Sequence, residues 1–282
     1  MIIVKLKGGL GNQLFQYSFG RLLSRKRQED FKLDIREIAG RRDTYRCYRL
    51  DNFRIRAEIA SSEEILTASE PYGLVSRLSQ LFFQKILRRF NIGYNGKLLL
   101  SRAQYFEGFF QSYRYLDPIR SELLSEISLK EDICGKYNKV ISQIKSDNSV
   151  AVHIRRGDYV NNAKTKKDHF VCDLNYYERA IDLMQSKLPG LKLFVFSDDI
   201  SWAKANIKAE KTVFVSQPGM EDYEELILMS LCRHAIIANS SFSFWAAWLN
   251  QNDDKIIIAP KVWNRRYDKQ YLSLLPKNWI RI

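Results

Sequence analysis

The chain has 282 residues, 45% of them hydrophobic and 13% aromatic, enough for a large core and two domains, which excludes a disordered or fibrous protein. Its formal net charge of +13 attracts anions, whether nucleic acid, anionic lipid or phosphorylated substrates, without choosing among them. Cys47, Cys134, Cys172 and Cys232 are scattered and form no C-x-x-C pair, which argues against zinc or redox motifs and for reduced core residues. No signal peptide opens the sequence and no apolar run is long enough to span a bilayer, so a cytoplasmic location is expected.

In chain order, Ile2 to Leu6 reads as a buried strand, and Leu14 to Leu23 suits a helix. Between them, Lys7-Gly8-Gly9-Leu10-Gly11-Asn12-Gln13 is either a plain tight turn or a place where a ligand approaches the backbone. It is neither a dinucleotide fingerprint nor a P-loop. A second strand spans Phe31 to Leu33 and ends at Asp34. Arg41 to Arg56 is loop-like and basic. Ser61 and Glu64 form a capping box at a helix start. Leu74 to Phe90 is a basic amphipathic helix that either packs on its own domain or lies on anionic membrane. Tyr105 to Ser112 is a strand leading into a loop, and Asp117-Pro118 starts a helix.

A polar, lysine-rich stretch from Gly135 to Ser149 marks the boundary, giving domains 1–135 and 136–282. Strands then recur at Val150 to Ile154, Leu191 to Ser197, Thr212 to Val215, Ala235 to Ala238 and Ile256 to Ile258, with helices at Glu221 to Cys232 and Phe244 to Leu249. Alternation of this kind predicts a doubly wound parallel sheet.

Three of those strands end in polar clusters: His153 to Asp158, Asp198-Asp199, and Asn239 to Ser243. Two adjacent arginines ending a buried strand are costly without an anion opposite them. Guanidinium grips phosphate through paired hydrogen bonds. Arg155 and Arg156 therefore point to a phosphate or pyrophosphate site. The plainer reading is an Arg156–Asp158 ion pair holding a turn. The helix opening at Ser240-Ser241-Phe242 offers free N–H groups to the same anion. Asp198 suits a guanine edge. A metal at Asp198-Asp199 lacks a third ligand. His169 and His234 read as structural.

The chain resembles the α-1,2-fucosyltransferases of glycosyltransferase family 11, in the short bacterial form. Four motifs carry the resemblance: Gly8 to Tyr17, His153-x-Arg155-Arg156-x-Asp158, Phe196-Ser197-Asp198-Asp199 with Trp202, and Asn239-Ser240-Ser241-Phe242-Ser243-x-Trp245. They run from Lys5 to about Trp263. The resemblance implies a GT-B-like fold of two Rossmann-like α/β domains facing across a cleft, with the acceptor on the first and GDP-fucose on the second. It implies no cofactor and no metal. Arg155 becomes the main phosphate clamp, with Arg156 beside it and His153 supporting the nucleotide. Asp198 reads guanine, and Asn239, Ser240, Ser241 and Phe242 line the diphosphate pocket. Gly11, Asn12 and Gln13 reach the donor from the first domain.

The implied reaction is a single inverting displacement in which a galactose 2-hydroxyl attacks fucose as GDP departs. Asp158 is nominated as general base, against a role in fixing the arginines. The expected acceptor is a galactose-terminated, lipid-linked glycan of a surface polysaccharide such as O-antigen, met at the inner face of the membrane, where the positive charge aids contact with anionic lipid. Two alternatives stay open. One is a different acceptor or another GDP-sugar. The other is nucleic-acid binding on charge alone, against which the basic residues are scattered and no nucleic-acid motif appears.

Overall fold

The structure, a computed structural model, describes residues 1–39, 47–69, 91–146, 148–157, 160, 166–168 and 172–282. The proposed amphipathic helix at 74–90, the first part of the basic loop, His169 and Asp158 lie outside the described residues. The chain divides into two compact units, Met1–Lys130 with Lys269–Pro276, and Glu131–Asp268 with Lys277–Ile282. The division thus falls at Lys130 rather than at 135, and the segment Lys269–Pro276 belongs to the first unit.

Unit 1 is built on β1 (Ile2–Lys5), α1 (Leu10–Arg27), β2 (Phe31–Asp34), β3 (Glu58–Ile59), α2 (Ser62–Ser69), β4 (Tyr105–Phe106), α3 (Tyr113–Leu116) and α4 (Arg120–Glu126). Its sheet is parallel, in the order β3-β2-β1-β4. Helix α1 is buried almost all round from Leu10 to Leu23, which marks it as a core helix covered on more than its sheet-facing side. A Cβ at Gly20 would stand 2.7 Å from the Phe31 ring, so only glycine lets helix and strand approach this closely. The capping box at α2 forms as expected: Ser61 N–H donates to Glu64 Oε2 at 2.8 Å, and Glu64 N–H to Ser61 Oγ at 3.2 Å.

Unit 2 contains α5 (Cys134–Ser146), β5 (Ser149–Ile154), α6 (Leu174–Lys187), β6 (Lys192–Ser197), α7 (Ile200–Asn206), β7 (Thr212–Phe214), α8 (Asp222–Leu231), β8 (His234–Ile236), α9 (Ser241–Leu249), β9 (Ile257–Ala259) and β10 (Ile280–Arg281). The sheet runs β10-β9-β8-β5-β6-β7, and every pairing is parallel. That is the doubly wound order expected from the alternating pattern. Val150, Val152, Ile154, Leu193 and Val195 form its core with Tyr176, Tyr177, Ala180 and Met184 of α6.

The stretch read as a polar boundary is helix α5. Its lysines face water while Tyr137, Ile141 and Ile144 are buried at helical spacing. Tyr137 Oη and Lys136 Nζ both bind the buried Glu224 carboxylate of α8, at 2.8 and 2.7 Å. All four cysteines are free. Cys172 and Cys232 are core residues as expected, but Cys134, at the exposed start of α5, is not. His234 is structural, its Nδ1 accepting from Ile256 N–H at 3.0 Å. Among the described residues no helix is long and apolar enough to cross a membrane.

Candidate functional site

In sheet 2 the unit's first strand, β5, lies beside its fourth, β8. The chain leaves these neighbours in opposite directions, and their carboxyl ends open the crevice where such sheets bind ligands. Two of the three polar clusters end these two strands. The third ends β6, on the other side of β5.

His153, near the end of β5, is buried, and its Nδ1 has no hydrogen-bond partner among the described residues. Its ring centroid is 5.5 Å from that of Phe242 at the start of α9. Burial, reinforced by the Arg155 charge, holds its pKa down at about 3, so the imidazole is neutral at physiological pH and serves as a hydrogen-bonding group.

Arg155 and Arg156 have different surroundings. Nη1 of Arg155 is 2.9 Å from Asp198 Oδ2, yet that oxygen lacks a well-aligned hydrogen bond. The pair is held as an ion pair rather than by a well-aligned hydrogen bond. Arg156 is locked. Its Nε donates to Asp199 Oδ2 at 3.1 Å, and its guanidinium lies 4.1 Å over the Trp202 ring. Asp199 also caps α7 by accepting from Trp202 N–H at 3.0 Å. Arg156 N–H donates to Asp198 Oδ1 at 2.8 Å. Asp198 is thus turned to the two arginines, and a Cβ at Gly157 would come within 2.6 Å of its Oδ2. Glycine is the residue that leaves this carboxylate room.

Helix α9 begins at Ser240, whose side chain accepts from Phe242 N–H at 3.3 Å, and no acidic residue sits in its first turn. Its N-terminal partial charge is therefore unopposed from within the helix. Ser241 and Phe242 are half-buried. Asn239 is a brace: Nδ2 donates to Trp263 O at 3.0 Å and Oδ1 accepts from Cys172 Sγ.

One residue that sequence reasoning missed belongs here. Glu225, in the first turn of α8, hydrogen-bonds the Ser216 hydroxyl, and Ser216 Oγ in turn accepts from Ser197 N–H at 2.9 Å. Burial, with smaller contributions from Asp222 and Asp198, pushes its pKa up to about 7. The signal was a serine just past a strand and a carboxylate one turn into the next helix, which gain meaning only when β6 and β7 are known to pair.

Gly11, Asn12 and Gln13 lie in unit 1, at the start of α1. Gln13 is fully buried, its Nε2 donating to Gly8 O and Cys47 O, and its Oε1 accepting from Arg49 N–H. Its side chain braces the turn rather than facing solvent. Among the described residues no group of three or more His, Cys, Asp or Glu side chains is placed to hold a metal ion.

A family model described as Glycosyl transferase family 11 matches residues 93–282. An "Alpha-1,2-colitosyltransferase" of Escherichia coli is 34% identical, with 100% of this chain and 99% of that protein covered. The "O-antigen biosynthesis glycosyltransferase WbnK" of Escherichia coli is 32% identical over 98% and 99%. Rat "Galactoside alpha-(1,2)-fucosyltransferase 2" is 28% identical, over 52% of this chain and 44% of its own. Among solved structures, NodZ alpha-1,6-fucosyltransferase soaked with GDP-fucose superposes with a TM-score of 0.53 at 14% identity, covering 88% of this chain and 91% of that one; it supports the GT-B fold of two Rossmann-like domains. With the family match spanning the whole of β5 to β10, the chain belongs to glycosyltransferase family 11.

Proposed function

We propose that the protein is an inverting α-1,2-fucosyltransferase that moves L-fucose from GDP-β-L-fucose to the 2-hydroxyl of a galactose in a surface glycan. The observation that carries this is the β5–β8 crevice. There an arginine ion-paired with Asp198, a helix N-terminus with no acidic residue in its first turn and a neutral histidine end neighbouring strands. Arg155 exchanges Asp198 for the diphosphate, and the α9 N–H groups stabilise charge on the departing phosphate. This arrangement supplies the electrostatic help for which other enzymes use a metal ion.

Asp198 was expected to read guanine. Its orientation toward both arginines supports a different role, that of aiming Arg155. Glu225, which hydrogen-bonds Ser216 just past β7, is our candidate for the base edge instead. Asp158 remains the nominated base for the acceptor hydroxyl. The family relatives of O-antigen assembly support a lipid-linked acceptor, and the charge of +13 suits peripheral contact with anionic lipid. Nucleic-acid binding had only that charge to support it.

A second donor has an observation in its favour, the full-length similarity to a colitosyltransferase. The test is GDP release from GDP-fucose and from GDP-colitose, with and without galactose-terminated acceptors, in EDTA. Acceptor-dependent release from GDP-fucose that survives EDTA supports the proposal. Release from GDP-colitose alone replaces the donor. A folded protein inert toward both refutes the reading.

A further inference from the structure

Sheet 1 has a switch point of its own. Strands β1 and β4 are parallel neighbours whose following segments, Lys7–Asn12 and Glu107–Gln111, leave from the same sheet edge. The turn after β4 is held in a shape it would not adopt unaided. Phe110 has a φ of 50°, in the left-handed region that bulky residues avoid, and backbone strain of this kind gathers at ligand sites.

Its surroundings impose that shape. The Phe110 ring is fully buried and stacks on Phe19, with centroids 4.0 Å apart and planes at 8°. Phe109 N–H and Phe110 N–H both donate to Asn91 O, and Gln111 N–H donates to Ile92 O at 2.6 Å. A Cβ on Gly108 would lie 2.5 Å from Asn91 Cβ. Gln16 joins the two strand ends, accepting from Lys7 N–H at 3.0 Å and donating to Gly108 O at 2.9 Å.

The product of this scaffolding is one amide pair. Gln111 Nε2 donates to Asn12 Oδ1 at 2.7 Å. Gln111 is only 7% exposed, yet its Oε1 has no partner among the described residues, and neither does Nδ2 of Asn12. One acceptor and one donor are thus left without a partner among the described residues, at a spacing fixed by the hydrogen bond between them, which is what a sugar hydroxyl pair needs. Beside them Glu107 lies 3.5 Å from Lys7 Nζ and 3.7 Å from Lys5 Nζ, and Lys7 Nζ lies 4.5 Å over the half-buried Phe109 ring. These lysines are matched by carboxylates, so the edge suits a neutral polyol better than a phosphate.

We propose that the Asn12–Gln111 amide pair, with Glu107 and Phe109 beside it, is a subsite for a neutral sugar ring. The proposal rests on the glycosyl-transfer reading and names what unit 1 contributes to it. The ring is either the sugar of the donor or the terminal hexose of the acceptor, and kinetics separates them.

The test compares wild type with Gln111→Leu, which keeps bulk and removes both amide atoms, and with Phe109→Ala. Melting temperature and GDP affinity are measured alongside. The expected result is wild-type GDP affinity with a tenfold or greater loss in kcat/KM. A rise confined to the acceptor KM assigns the acceptor hexose; a rise confined to the GDP-sugar KM assigns the donor sugar. Folded variants with both KM values and kcat within twofold of wild type overturn the subsite.

A second measurement needs neither turnover nor a variant that folds. Saturation-transfer NMR on the wild-type chain with methyl β-galactoside and with L-fucose should show transfer to one of the two sugars. Absence of transfer to both overturns the proposal, even where GDP-sugar turnover is intact. Transfer without turnover of any GDP-sugar keeps the subsite and sinks the donor assignment instead.

Discussion

The two switch points share a topology and differ in chemistry. In unit 2 the β5–β8 edge carries two arginines, a neutral histidine and a free helix N-terminus. In unit 1 the β1–β4 edge carries an amide pair and lysines already matched by carboxylates. One is built to meet anionic charge and the other is charge-balanced. A fold of this class supplies the crevice, and the residues within two or three positions of the strand ends decide what enters it.

The largest expected effect breaks the charged side of the comparison. Arg155→Ala should lower turnover by about 10²–10³-fold, as loss of a transition-state charge partner does, and because it leaves the Asp198 carboxylate without its ion-pair partner the melting temperature is measured alongside to confirm folding. Asp198→Asn comes next, with a loss of about tenfold or more in donor kcat/KM, because the carboxylate that aims Arg155 is replaced by an amide. Stopped assays of GDP release measure both. Gly157→Ala should resemble Asp198→Asn in direction, since a methyl group there collides with Oδ2.

A smaller effect tests Glu225 through pH. Burial pushes its carboxyl pKa up to about 7, and only the ionised form can accept two hydrogen bonds from a base edge. GDP affinity should therefore fall as pH drops through 7, and Glu225→Gln should flatten that dependence while binding GDP more weakly at pH 8. The sign for folding is opposite. A pKa raised above the unfolded value means the folded state favours the protonated carboxyl, so this group's contribution is complete below about 4.5 and is lost as pH rises through about 7. The wild-type minus Glu225→Gln difference in urea midpoint should follow that course.

The smallest expected effect is Trp202→Ala, which removes the face under Arg156. A cation–π contact that is partly desolvated is worth about 1 kcal/mol, and the indole also packs against the core of unit 2, so stability should drop by more than that while donor KM rises only a few-fold.

Much of unit 2 was legible in the sequence, because a strand buried on both faces is a continuous apolar run; β5 and β6 fall within one residue of where the pattern puts them. Strands β3 and β10 have two residues each, too few for any period to show, and of the strand read from Tyr105 onward only Tyr105–Phe106 pairs, as β4. Helix α5 was hidden because its three lysines and its polar residues mask only three buried side chains. The arginine motif was visible, but the contrast between Arg155 and Arg156 was not. It depends on a backbone N–H, on the space at Gly157 and on the distance to Trp202, none of which is encoded locally. Gln111 was invisible for a similar reason, since its meaning comes from Asn12, far away in sequence.

The central claim is that the β5–β8 crevice is a guanine-nucleotide diphosphate site clamped by Arg155. Calorimetric titration of the full chain with GDP, ADP and UDP, for wild type, Arg155→Ala and Glu225→Gln, tests it most directly. The account predicts that GDP binds at least tenfold more tightly than ADP or UDP, that Arg155→Ala weakens all three, and that Glu225→Gln weakens GDP selectively. Unchanged GDP affinity in a folded Arg155→Ala protein would contradict it.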